Sequence, residues 1–288
     1  MAAESLNPET KAILDDYFAE MRLNNKSPKT IYQYQTFLFR FFAECQKPIK
    51  EITFEDVHAF LQRFHPEKLY KPRTINCYIS ILTSFFDYCV SEELIESIPI
   101  KRRWRYKTPK SVPKHLSPTE IAKIKIQTEK SSLRDRAIIS LMFSSGIRRN
   151  ELRLLNIDNI NLEERTAVVH GKGNKERIVH FSEETALLLQ ELIKYHPKTE
   201  SALFLNKYNK RLSDKYIYEI TKQIGKKAKL TRPFTPVCRH TFATTLVKKG
   251  ANIKFVADEL GHANINTTQI YARIPDEEII SIYRKIMG

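Results

Sequence analysis

The stretch IDNINLEERTAVVHGKGNKERIVHF, residues 157–181, decides the fold, because here the pattern drops from helical spacing to short β-like pieces. Ile157–Asn161, Thr166–His170 and Arg177–Phe181 are separated by turn residues, which predicts a three-strand antiparallel meander. Helices are predicted on both sides of it. Upstream, Ser117-Pro118-Thr119-Glu120 is a helix start of capping-box type, and an apolar helix follows from Arg134 to Ser145. Downstream, helical segments are expected near 183–195, 213–228, 237–249, 252–260, 264–271 and 276–287.

Further toward the N-terminus no strand signal appears. All seven glycines lie after residue 145, so the first half has no residue that freely adopts positive φ. Ile13, Leu14, Tyr17, Phe18 and Met21 recur at helical period. Ile31, Tyr34, Leu38, Phe41 and Phe42 repeat it after the start signal Ser27-Pro28. A third helix opens at Thr53, and a fourth runs from about Arg73 to Val90. The expected class is mainly α with one small antiparallel sheet. A helical domain spans 1–97, a linker 98–115, and a mostly helical α+β domain 116–288.

Charge divides the 288-residue chain at the same places. The formal charge is +15, made of −3 over 1–97, +7 over 98–115 and +11 over 116–288. The middle block, IPIKRRWRYKTPKSVPKH, mixes seven cations with Pro99, Pro109 and Pro113, and reads as an extended basic linker. Such a balance points to a polyanionic partner, nucleic acid first. Cys45, Cys77, Cys89 and Cys238 have spacings of 32, 12 and 149, which fit neither a disulfide framework nor a zinc site. MAAESLNPET lacks a signal-peptide pattern and no apolar run is long enough to cross a bilayer, so a cytoplasmic, nucleoid-associated protein with no membrane contact is expected.

The chemistry-bearing residues are cations and one tyrosine. A Walker loop, a dinucleotide glycine fingerprint, HExxH and CxxC are all absent from the sequence. Five short patterns occur instead: SSGIRRNEL at 144–152, GKGNKER at 171–177, PVCRHTFAT at 236–244, ELGHAN at 259–264 and TTQIYARI at 267–274. In this order and spacing the chain closely resembles the catalytic domain of the tyrosine recombinases, the phage-integrase or Xer-type family, over about residues 115–275. SPKTIYQYQTFLFRFF at 27–42 resembles that family's core-binding domain less specifically.

The resemblance implies Arg148 and Arg239 as the two catalytic arginines, Lys172 as the β-hairpin lysine, His262 at the His-or-Trp position and Tyr271 as nucleophile. It also implies a double-stranded DNA site as partner and a homotetramer on DNA, with 276–287 packing into a neighbouring protomer. No cofactor or metal is called for. These residue types suit phosphodiester chemistry. A second negative charge builds at phosphorus during attack, and bidentate arginines stabilise it more than they stabilise the ground state. A tyrosine with an ordinary pKa near 10 is only about one part in a thousand ionised at pH 7 and needs cations or a base beside it. A lysine can protonate the leaving 5′ oxygen.

Each residue also has a plainer reading. Glu151 pairs with or supports Arg148. Lys175 and Arg177 are equal candidates with Lys172 for the phosphate contact. His240 is expected to brace Arg239 by a hydrogen bond, and Cys238 to fill space. Isolated tyrosines are mostly packing residues. One position departs from the family pattern: Pro236 stands where the family usually has the histidine thought to take the nucleophile's proton. Two further readings follow, a catalytically impaired DNA-binding relative and a type IB-like topoisomerase.

Overall fold

The computed structural model describes residues 6–64, 70–108, 114–171, 176–197, 199–231, 234–262, 267–269 and 271. The chain forms two compact units, Met1–Lys110 and Ser111–Gly288.

Among its described residues the first unit holds four α-helices: α1 (Pro8–Leu23), α2 (Pro28–Glu44), α3 (Phe54–Gln62) and α4 (Pro72–Ser91). Proline at the first turn fixes the start of α1, α2 and α4, where its missing N–H costs nothing. Asn7, Ser27 and Thr53 each accept a backbone N–H as N-cap, and Thr53 completes a capping box with Asp56. The core mixes aliphatic side chains with many aromatic ones. Phe37 and Tyr78 stack with centroids 4.3 Å apart, and Phe41 meets Phe60 edge to face at 4.9 Å.

The stretch read as an extended linker packs on this unit as far as Tyr106. Ile98, Ile100, Trp104 and Tyr106 lie against its core, and Arg102–Trp104 form a single 3-10 turn. Asn76 of α4 holds Tyr106 at both backbone groups, each at 2.9 Å. The apolar residues interleaved among the cations give this stretch something to bury, which a solvated linker lacks.

The second unit carries α5 (Pro118–Glu129), α6 (Leu133–Ser145), α7 (Arg149–Leu154), β1 (Ile160–Asn161), β2 (Thr166–His170), β3 (Glu176–His180), α8 (Glu183–Lys194), α9 (Asp214–Lys227), α10 (Thr235–Lys248) and α11 (Ile253–Leu260). The sheet is antiparallel in the order β1-β2-β3. Ile160 pairs with Ala167, and Val168 with Ile178. Ala167, Val169 and Val179 face the core, with α6 and α8 packed together beside them.

The first predicted strand is largely a 3-10 turn. Asn159 Oδ1 accepts the Asn156 N–H at 2.9 Å, which curls Ile157–Asn159 before β1 begins. The third strand starts one residue earlier than expected. The six-residue α7 was not anticipated, being too short to show a period. Of the predicted helix at 264–271, the described residues Thr267–Gln269 and Tyr271 run as 3-10 and turn conformation, with the Tyr271 N–H on Thr268 O at 3.0 Å. The predicted segment 276–287 lies outside the described residues. Among the described residues, no helix is long and apolar enough to cross a membrane.

Candidate active site

Helix α6 ends at Gly146 in the left-handed region, φ +60°. A Cβ there would stand 2.4 Å from the Phe242 ring, so both the conformation and the contact require glycine. The turn buries Ile147 and delivers Arg148 as N-cap of α7. Arg148 donates its backbone N–H to Glu151 Oε2 at 2.9 Å and its Nη1 to Glu151 Oε1 at 2.6 Å.

Glu151 is 3% exposed and holds a second arginine. Arg177, from β3, forms a fork on it, Nη1 to Oε1 at 2.7 Å and Nη2 to Oε2 at 2.8 Å. Burial alone would raise the Glu151 pKa, but the hydrogen bonds from Arg177 and Arg148 outweigh it and hold the carboxyl below its ordinary value. Arg177 Nε also donates to the Glu259 carbonyl of α11 at 3.1 Å. Gly261, the left-handed cap of α11, lets that side chain pass: a Cβ would lie 2.7 Å from Arg177 Cδ.

Arg239 comes from α10. Its Nη1 donates to Gly146 O at 2.8 Å, and its Nη2 donates to Leu260 O. Arg148 Nη2 donates to the next carbonyl, Gly261 O, at 3.0 Å. Two guanidinium groups from segments far apart in the sequence thus meet on consecutive carbonyls at the negative end of α11. Burial, then the like charges of Arg148 and Arg177, pull the Arg239 pKa down to about 9, which leaves it charged at neutral pH.

His262 follows directly, its Nδ1 2.7 Å from Thr268 Oγ1. Burial and then Arg239, Arg148, Arg177 and His240 lower its pKa to about 4, so the ring is neutral at pH 7. Tyr271 is 2% exposed and packs with Ala243, Val256 and Leu260. Its Oη lies 2.7 Å from His240 Nδ1. Burial raises the Tyr271 pKa and Arg239 opposes that rise, while burial, followed by Arg239, lowers that of His240.

Of the expected residues, Arg148, Glu151, Arg239, His240, His262 and Tyr271 come together in one cluster. Lys172 and Lys175 lie outside the described residues. Arg177, an open candidate for phosphate contact, is committed instead to Glu151 and Glu259. His240 departs from expectation: its ring nitrogen reaches the Tyr271 hydroxyl rather than bracing Arg239. Cys238 is buried and burial pushes its thiol pKa up, as suits a packing residue. Thr268 and the carbonyls of Leu260 and Gly261 were not anticipated. Nor was the pair of His180 and Glu259, 2.7 Å apart between β3 and α11. Backbone acceptors leave no mark in a sequence. Among the described residues no cluster of His, Cys, Asp or Glu is arranged to hold a metal ion.

With this geometry in place, known proteins give a consistent picture. Residues 114–278 match the phage integrase family and residues 13–96 match the phage integrase N-terminal SAM-like domain. The tyrosine recombinase XerA of Pyrococcus horikoshii is 33% identical over 272 residues, covering 93% of this chain and 90% of the relative. The tyrosine recombinase XerC of Leptospira interrogans is 32% identical over 297 residues, covering 99% and 94%. A solved structure of the XerH site-specific recombinase bound to palindromic difH substrate, a post-cleavage complex, shares the fold: TM-score 0.77, 24% identity, 96% of this chain and 84% of that one.

Proposed function

This chain belongs to the phage integrase family, whose members are tyrosine recombinases, and from that premise we propose how its own side chains break and rejoin DNA. It is a DNA recombinase. Tyr271 attacks the scissile phosphorus, the P–O5′ bond breaks, and a 3′-phosphotyrosyl link forms. The freed 5′ hydroxyl of a partner strand then attacks that link, so bond energy is kept and no ATP enters. Arg148 and Arg239 hold the two non-bridging oxygens, His262 adds a hydrogen bond there, and Lys172 protonates the leaving oxygen. Glu151 orients Arg148 through its two bonds to that residue.

One observation carries this reading. The Arg148 and Arg239 guanidiniums, from segments far apart in the sequence, converge on adjacent carbonyl oxygens at the end of α11, and the Tyr271 hydroxyl is held by the residue next to Arg239. A net charge of +15 supports a polyanionic substrate. The recombining species in this reading is a homotetramer on paired double-stranded sites in the cytoplasm, at the nucleoid. Segment 276–287, with Ile279, Ile282, Tyr283 and Ile286 on one stripe, enters a neighbouring protomer. A groove of about 470 Å³ lined by Phe143, Phe242, Leu246 and Phe255, with Lys249 and the His180–Glu259 pair also on its wall, supports this by offering apolar surface to that stripe.

The test is incubation with DNA from the protein's own genomic neighbourhood, followed by denaturing gels and mapping of the adduct. A covalent product at one site, lost in Tyr271→Phe, is the expected result. The absence of any adduct overturns the cleavage reading. Relaxation of supercoiled plasmid lacking that site identifies a topoisomerase instead.

A further inference from the structure

We propose that His240 is a catalytic residue, the base that takes the proton from the Tyr271 hydroxyl as it attacks phosphorus. The inference rests on the phosphotyrosyl reading above and assigns the role that Pro236 cannot fill, since proline has no group to accept a proton.

The argument starts from helix geometry. Positions 236 and 240 are four apart on α10, so they fall on one face a single turn from each other. A base one turn further along the same helix serves the same side of the site. His240 Nδ1 lies 2.7 Å from Tyr271 Oη, within the reach a general base needs. His262, the other histidine of the cluster, has its Nδ1 on Thr268 Oγ1 instead.

Protonation states agree. The titratable groups facing His240 are Arg239 on its own helix, Tyr271, and His262 beyond the end of α11. Burial and the Arg239 charge both disfavour the imidazolium, so the ring is neutral and able to accept near pH 7. With its hydrogen on Nε2, the ring presents the Nδ1 lone pair to the tyrosine. The step balances: the Tyr271 O–H proton moves to Nδ1, the phenolate oxygen bonds to phosphorus, and the P–O5′ bond breaks. The leaving oxygen takes its proton from a separate acid, and the return of the His240 proton to Tyr271 accompanies religation.

His240→Asn isolates the role. The Asn carboxamide oxygen can accept a hydrogen bond near the position of Nδ1 but has no useful basicity. Adduct formation is followed with a nicked duplex carrying the mapped cleavage site. A second duplex is made with a 5′-bridging phosphorothiolate, whose leaving group needs no proton. The expected result is a loss of about 10²–10⁴-fold for His240→Asn on both duplexes, with gel-shift affinity unchanged. The wild-type rate is expected to fall at low pH as His240 takes up a proton, and the variant to lack that limb. An unchanged or faster rate overturns the proposal, because the contact would then only hold the resting tyrosine. Recovery on the phosphorothiolate also overturns it, by making His240 the acid. Should His240→Asn fail to fold, as judged by circular dichroism, His240→Gln is read by the same criteria. If the wild type forms no adduct, the underlying cleavage reading fails. An adduct that persists undiminished in the variant removes His240 alone.

Discussion

Replacing Glu151 by Gln strikes the point where the second unit concentrates its buried charge. The carboxylate accepts four hydrogen bonds, two from Arg148 and two from Arg177. An amide keeps one oxygen but turns an NH₂ toward donors on the other side, and it leaves two guanidiniums without a counter-charge. Removing one partner of a buried pair costs about 3–5 kcal/mol. For a domain of this size, each kcal/mol moves Tm by about 2–4 °C, so roughly 6–20 °C is expected. The pH dependence follows from the direction of the shift. The folded pKa is held below its ordinary 4.5, so the contribution is complete above that value and is lost as pH falls through the folded value. Urea unfolding of both proteins, stepped from pH 7 to pH 3, measures the gap. It should be full at pH 7 and shrink below about pH 4.5 as the wild-type carboxyl takes up its proton. A gap under about 1 kcal/mol at pH 7, or one that persists undiminished in acid, refutes the buried network as a source of stability.

Gly261→Ala should cost more than Gly250→Ala in urea unfolding. Both have positive φ, worth about 1–2 kcal/mol against alanine, but only position 261 also drives a Cβ to within 2.7 Å of Arg177 Cδ. Arg239→Lys keeps the charge and loses the fork, so adduct formation should fall about 10²–10³-fold while gel-shift affinity holds. Lys172→Ala should slow cleavage of a phosphate duplex and recover on the 5′-bridging phosphorothiolate, the pattern of a lost acid. Pro236→His should leave the wild-type adduct rate within about threefold, because a base is already in place, and should raise the rate of His240→Asn by about tenfold or more.

Much of the fold was legible because its signals are local. Proline and serine helix starts, the confinement of glycine to the later part of the chain and the change of period at 157 each need only a few neighbouring residues. The first strand was misread because Asn156 and Asn159 build a turn that apolar content hides. Residues 98–106 differ from the expected extended linker because Ile98, Ile100, Trp104 and Tyr106, at even spacings among the cations, offer one face to a core. Arg177 was decidable in principle: period-2 alternation puts it on the face of the buried Val179, away from the exposed Ile178. The partner of His240 was not decidable, since it depends on where the chain after α11 returns to α10.

Charge counting explains why a third arginine stands behind the two that face the substrate. Glu151 fixes Arg148 but would also cancel its charge, leaving a single positive charge on Arg239. Arg177, only 12% exposed and bonded to that carboxylate through both terminal nitrogens, restores the balance. Among the described residues of the cluster, before Lys172 is added, three guanidiniums and one carboxylate sum to +2, with His262 and His240 neutral near pH 7. A phosphodiester carries −1 and the pentavalent state −2. The cluster is therefore better matched to the transition state than to the ground state, the condition under which binding energy accelerates chemistry. Without Arg177 the sum drops to +1 and matches the ground state instead.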